Sequence, residues 1–177
     1  MNADSPARKA RIASMIRVNQ AGEFGAARIY AGQLAVMGNR HPVARDIAHM
    51  AEQEARHRVF FDRMIAERRV RPTILSPFWN VAGFALGAAT AAMGPRAAMA
   101  CTAAVETEID RHYGEQLEEL GEDDPELSAA IVEFRAEELE HKDAALAAGA
   151  EGAPGYPLLS GIIRAGCRTA IALAKRI

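Results

Sequence analysis

Glu54-Ala55-Arg56-His57 and Glu138-Leu139-Glu140-His141 decide how this chain reads. Each is a Glu-x-x-His. On a helix, positions i and i+3 share a face, so each segment offers one carboxylate and one imidazole to a common point. An isolated glutamate in a small or apolar setting precedes each: Glu23 in AGEFGA and Glu106 in TAAVETE. Glu23 stands 31 residues before Glu54, and Glu106 stands 32 before Glu138. A tyrosine follows each isolated glutamate by seven residues, Tyr30 and Tyr113. Seven residues is two helical turns, so each tyrosine lies on its glutamate's face. The two halves of the chain carry one chemical pattern.

The surrounding sequence reads as helices and short turns. Helical periodicity runs from about Ala7 to Met37 and is broken by Gly38-Asn39-Arg40-His41-Pro42. A second helix is expected from about Pro42 to Arg69, ended by Arg71-Pro72. An uncharged stretch, 72–95, follows, and Gly94-Pro95 interrupts it. Pro95 suits the first turn of a helix reaching about Leu120. The acidic turn Gly121-Glu122-Asp123-Asp124-Pro125 opens a helix to about Ala148. A Gly/Pro-rich linker, 149–157, leads to a last helix over about Leu158 to Lys175. No segment alternates apolar and polar residues long enough for a strand. The expected fold is all-α: four long helices, an apolar helical insertion and a C-terminal amphipathic helix, in one domain over 1–177 with a flexible start at 1–10.

Composition agrees with that reading. A chain of 177 residues suits one domain with a full core. Half its residues are apolar and 25% are charged, which excludes wholesale disorder. The 38 alanines and the 6% aromatic content favour helix. A net charge of −2 and a pI of about 6.2 argue against a general grip on nucleic acid. Cys101 and Cys167 lie far apart with no C-x-x-C, which excludes a disulfide framework or a cysteine zinc site. The start MNADSPARKARIASM has no hydrophobic signal core, so secretion is not expected.

Four carboxylates and two imidazoles can hold two divalent metals about 3.5–4 Å apart. Buried carboxylates are otherwise costly and must be metal-bound, paired or protonated. A glutamate on each of two helices, with Glu-x-x-His on the other two, is the pattern of ferritin-like di-metal bundles. Mixed carboxylate and imidazole ligands suit iron or manganese better than calcium. One Glu-x-x-His alone usually means solvated surface; the matched repeat carries the inference. Several alternatives stay open. Glu52, Glu137 and Glu140 compete for the motif roles, and Glu137 lies four residues before His141. Glu108 competes with Glu106, which the tyrosine repeat favours. Asp110 is a candidate to orient a ligating histidine, or else a solvated or capping residue, as is His112. Tyr30 and Tyr113 flank the site or are core aromatics with bonded hydroxyls.

The string IRVNQAGEFGAARIYAGQLAV (16–36) closely resembles the demethoxyubiquinone hydroxylase family. So do RPTILSPFWNVAGFALGAATA (71–91), ACTAAVETEIDRHY (100–113) and FRAEELEHKD (134–143), and IIRAGCRTAIALAKRI (162–177) is similar. The resemblance covers nearly the whole chain after about Arg11. It implies a di-iron monooxygenase that hydroxylates the last unsubstituted ring carbon of a demethoxy polyprenyl benzoquinone or quinol in ubiquinone biosynthesis. It implies Glu23, Glu54, His57, Glu106, Glu138 and His141 as iron ligands, with Glu54 and Glu138 bridging. Tyr113 and His112 are the candidate catalytic residues beside them. O2 is the implied co-substrate and NADH the ultimate electron source, and no G-x-G-x-x-G is present for a nucleotide. The short N-terminus, without a mitochondrial presequence, is similar to bacterial members. A quinol oxidase of the alternative-oxidase type, an iron-storage protein on the same fold and a structural helical protein are the rival readings. A homo-oligomer or a lipid-presenting accessory protein stays open.

The membrane can be argued from the residues themselves. The uncharged stretch 72–95 is long enough to span a bilayer. A single span would put the two half-patterns on opposite sides, so one site could not assemble. The stretch is therefore expected to dip into the interface or pack on the bundle, and Gly83-x-x-x-Gly87 would permit close helix contact. In the last helix Leu158, Leu159, Ile162, Ile163, Ala170 and Ile171 are apolar, and Arg164, Arg168, Lys175 and Arg176 are basic. That composition suits a membrane interface, or else an ordinary amphipathic core helix. The expectation is a peripheral protein on the cytoplasmic face of a bacterial inner membrane, with 72–95 and 157–177 facing the lipid.

Overall fold

The computed structural model describes residues 5–38 and 41–176. The six α-helices are α1 (Pro6–Met37), α2 (Pro42–Arg68), α3 (Ser76–Ala92), α4 (Pro95–Leu120), α5 (Pro125–Ala147) and α6 (Tyr156–Ala174). Each carries a proline at its first or second position. A fixed φ and a missing N–H cost nothing there, so six of the eight prolines mark helix starts. Ser5, His41 and Asp124 cap α1, α2 and α5 by accepting from the backbone N–H groups of Arg8, Val43 and Leu127. Part of the expected flexible start, 1–4, lies outside the described residues, as do Asn39 and Arg40 of the first turn. From Pro6 the chain is helical, and Arg8 and Arg11 pair with Asp123. The linker after α5 contains a helical turn that sequence periodicity missed, Ala150–Gly152, with Ala150 and Ala153 buried.

α1 packs on α2 and α4 packs on α5; α1 also faces α4, and α2 faces α5. This is the ferritin-like four-helix bundle, with the long crossover between its two hairpins made by α3. One apolar layer holds Met15, Ile16, Phe61, Met64, Leu127 and Ile131. The other holds Tyr30, Ile47, Met50, Met99 and Ala103. Between the two layers, on α1, α2, α4 and α5, fall the glutamates and histidines of the repeated pattern.

α3 lies along α1. Gly87 is buried against the Ile29 carbonyl, Gly83 faces Gly25 and Arg28, and Gly32 faces Phe84. The Gly83-x-x-x-Gly87 expectation is therefore met, with α1 as the partner helix. Because α3 stays on the bundle, the chain on either side of it returns to one body. Ile74, Phe78 and Val81 remain exposed. α6 is long and apolar enough to cross a membrane by length and composition, yet it packs on α4. Arg164 and Arg168 there reach the buried Glu108 of α4 at 2.7 and 2.9 Å. Two of the four basic residues expected to face lipid thus turn toward a carboxylate. Leu158 and Ile162 stay exposed on this helix.

Candidate metal centre

Glu23 of α1, Glu54 and His57 of α2, Glu106 of α4, and Glu138 and His141 of α5 are all buried. Among the described residues they form two sets, each with ligand atoms within 4.8 Å of one another. One set is Glu23, Glu54, His57 and Glu138; the other is Glu54, Glu106, Glu138 and His141. Glu54 and Glu138 belong to both. His57 Nδ1 lies 3.3 Å from Glu23 Oε2 and 3.3 Å from Glu138 Oε1. His141 Nδ1 lies 3.1 Å from Glu138 Oε2 and 3.7 Å from Glu54 Oε1. The ring of His57 stacks on Phe134 with centroids 4.1 Å apart.

Five buried carboxylate oxygens in this cluster have no hydrogen-bond partner among the described residues. They are Glu23 Oε2, both oxygens of Glu54, Glu106 Oε2 and Glu138 Oε1, and His57 Nδ1 is in the same position. Buried acceptors without donors are costly. Converging lone pairs on carboxylate and imidazole fit a pair of divalent transition-metal ions. The electrostatics agree. Burial, then the charges of Glu138, Glu23 and Glu106, pushes the Glu54 carboxyl well above its ordinary range. Burial and the nearby Glu138 do the same to Glu106, and burial raises Glu138. Burial alone would lower His57, but the Glu138 and Glu23 carboxylates 3.3 Å from its Nδ1 outweigh it and lift the imidazole to about 10. That imidazolium in turn overcomes burial at Glu23 and holds it below its usual value. Without metal, protons neutralise the cluster.

Every polar support crosses from one half of the chain to the other. The Tyr30 hydroxyl donates to Glu106 at 2.7 Å, and Tyr113 donates to Glu23. His57 Nε2 lies 3.0 Å from Glu137, and His141 Nε2 lies 3.0 Å from the Gln53 carbonyl oxygen. The two tyrosines are thus core aromatics whose hydroxyls bond the site. Glu137 is on the outer side of His57. Gln53 carries no motif signal of its own, although it, like Glu137, immediately precedes its motif's glutamate.

The remaining candidates fall elsewhere. Glu108 is bound by Arg111, Arg164 and Arg168; the bond from Arg168 above all brings its carboxyl down to about 2. Asp110 does not orient a histidine of the cluster: one turn beyond Glu106 on α4, it accepts from Arg135 of α5 at 2.7 Å. Glu52 and Glu140 are exposed. His112 is buried outside both four-residue sets, 2.9 Å from Gln116, and burial lowers it to about 4.

Comparison with known proteins supplies the family. The model for "Ubiquinone biosynthesis protein COQ7" matches residues 10–174. The chain is 52% identical over 172 residues to the 3-demethoxyubiquinol 3-hydroxylase of Rhodospirillum rubrum, covering 97% of this chain and 81% of that protein. It is 51% identical over 173 residues to the mitochondrial NADPH-dependent 3-demethoxyubiquinone 3-hydroxylase of Homo sapiens, covering 96% and 79%. It is 41% identical over 189 residues to the mitochondrial 5-demethoxyubiquinone hydroxylase of Saccharomyces cerevisiae, covering 98% and 81%. With the match running through all four helices that build the carboxylate cluster, the chain belongs to the COQ7 family of ubiquinone-biosynthesis proteins.

Proposed function

We propose that this chain is a di-iron monooxygenase that hydroxylates the ring of a demethoxy polyprenyl quinol, with O2 as co-substrate and NADH as the ultimate electron source. The observation that carries the reading is that Glu54 and Glu138 are shared by two buried four-residue ligand sets. Glu23, Glu54, His57, Glu106, Glu138 and His141 would hold two iron ions, Glu54 and Glu138 being common to the two sets. Iron bound there supplies reduction and activation of O2. The chain's own residues supply the rest. Tyr30 and Tyr113 fix the outer carboxylates Glu106 and Glu23 through their hydroxyls. Ala26 and Ile29 of α1 pack against Thr102 and Val105 of α4 beside Tyr30 and Glu106. A largely apolar wall of this kind keeps solvent from the reacting atoms. The exposed Phe78 and Val81 of α3 and Leu158 and Ile162 of α6 provide apolar surface for a membrane, where a polyprenyl substrate resides. The placement is peripheral, at the cytoplasmic face of the cell membrane.

The test is turnover of reduced, iron-loaded protein with a demethoxyquinol under labelled O2. Mass spectrometry should find one labelled oxygen in the ring. O2 consumed without ring labelling would replace this reading with a quinol oxidase; iron taken up without quinol turnover would replace it with storage.

The protonated cluster also predicts a pH dependence. His57 titrates near 10 in the folded chain against an ordinary 6.5, so the folded state binds an extra proton between those values. Its stabilisation is complete below about pH 6.5 and is lost as pH rises toward 10. The raised carboxyls of Glu54 and Glu106 act with the same sign. Metal-free protein should therefore lose thermal stability from pH 7 to 9. Metal-loaded protein should lose much less, because cations replace the protons. Equal losses in scanning calorimetry of the two forms would remove the cluster as the cause.

A further inference from the structure

Outside the two ligand sets, one chain of hydrogen bonds joins the outer edges of both imidazoles. His57 Nε2 meets Glu137 Oε2 at 3.0 Å. The same carboxylate oxygen accepts from Gln53 Nε2 at 3.0 Å. The other end of that amide, Gln53 Oε1, meets His141 Nε2 at 3.0 Å. Only one assignment of protons satisfies the whole chain. An ionised carboxylate only accepts, so Gln53 must turn its NH2 toward Glu137 and its carbonyl toward His141. His141 must then carry its proton on Nε2. His57 must likewise donate from Nε2 to Glu137. Both rings are left with Nδ1 facing the carboxylate cluster, where His57 Nδ1 has no hydrogen-bond partner and each Nδ1 lies within 3.3 Å of Glu138.

The bracing is equal in geometry and unequal in charge. Behind His57 is a carboxylate; behind His141 is a neutral amide. The charge on Glu137 survives its other contacts. Arg56 meets it at 3.1 Å, but that arginine side chain is 61% exposed, so water screens it. The remaining support is matched between halves, since Tyr113 holds Glu23 as Tyr30 holds Glu106. A carboxylate behind a histidine raises the basicity of its inner nitrogen, and such partners change metal affinity by about 10–100-fold.

We propose that Gln53 and Glu137 are positioning residues that lock both histidines with Nδ1 inward and make the two metal positions unequal, the His57 half holding a divalent ion more tightly than the His141 half. The inference rests on the metal reading above and deepens it. The test uses the full metal-free chain titrated with Mn(II), with free Mn(II) read by electron paramagnetic resonance; no turnover is involved. Two classes of site should appear. Glu137→Gln keeps the shape and an acceptor oxygen but removes the charge, so it should weaken the tighter class by about 10–100-fold and bring the two together. Gln53→Ala should weaken chiefly the looser class. Two equal sites in the parent chain, left unchanged by Glu137→Gln, would overturn the unequal brace and leave the metal reading standing. A chain that binds no Mn(II) at all would overturn both. Should Gln53→Ala fail to fold, Glu137→Gln decides the matter alone.

Discussion

Replacing Glu138 with alanine is expected to abolish metal binding and hydroxylation while leaving the metal-free bundle at least as stable as the parent. Glu138 is fully buried, belongs to both ligand sets and touches both histidines. Its loss removes an oxygen donor from each metal position, so the effect should exceed the roughly 10–100-fold typical of an outer partner. Stability moves the other way. Glu138 is the largest charge acting on both Glu54 and Glu106, and it raises each of them. Removing it relieves that repulsion, which opposes the cost of the small cavity and of the partner lost to His57. Glu140→Ala, in the same motif but exposed, should change neither property. The measurement is metal content by elemental analysis beside the thermal midpoint of the metal-free forms. Unchanged metal content in Glu138→Ala would reject the ligand assignment.

That opposition between stability and chemistry explains why so much of the site could be read from sequence. Four carboxylates are placed in a core where charge is costly, so protons or cations must neutralise them. Residues of that kind stand out against an alanine-rich background. Glu23 and Glu106 are legible because their neighbours are small and apolar, and Glu54 and Glu138 because a histidine follows at helical spacing. The segmentation was legible for a different reason. Prolines at helix starts and glycines at Gly38, Gly94, Gly121 and Gly149 punctuate the chain, and all four of those glycines adopt positive φ. Where such punctuation was absent the reading slipped. α2 ends at Arg68 because Arg69 takes a left-handed conformation with φ 52°, which no residue-type rule signals for arginine. The turn Ala150–Gly152 is too short to show a period.

The supports of the site were hidden because they cross between helices. Periodicity places Tyr30 on the face of Glu23 and Tyr113 on the face of Glu106, yet each hydroxyl bonds the other half's glutamate. A pattern along one helix says which way a side chain points, not what stands opposite. Gln53 and Glu137 show the same limit: each looks like one more polar residue beside a motif until α2 and α5 are brought face to face. Glu108 shows the reverse case. It has the sequence setting of a ligand, but α6 folds back and supplies Arg164 and Arg168 to it.

The second large effect concerns backbone approach instead of charge. Gly87→Ala and Gly161→Ala are the same chemical change in the interiors of α3 and α6, and they should have opposite signs. A Cβ at Gly161 meets nothing within 4 Å. Helix propensity then decides, and alanine should stabilise the chain by about 0.5–1 kcal/mol. A Cβ at Gly87 would overlap the carbonyl group of Ile29, which is backbone and cannot rotate away. α1 and α3 would have to separate, at a cost of about 1–3 kcal/mol as for other overpacked contacts. In a chain of this size each kcal/mol moves the thermal midpoint by about 2–4 °C. Metal content should be unchanged in Gly87→Ala, because α3 contributes none of the six cluster residues. Thermal denaturation of the two variants, each with its metal assayed, separates the contributions. A Gly87→Ala chain as stable as Gly161→Ala would mean that α3 does not depend on this glycine to sit against α1, whereas loss of metal with stability would mean that the crossover helix helps to shape the cluster itself.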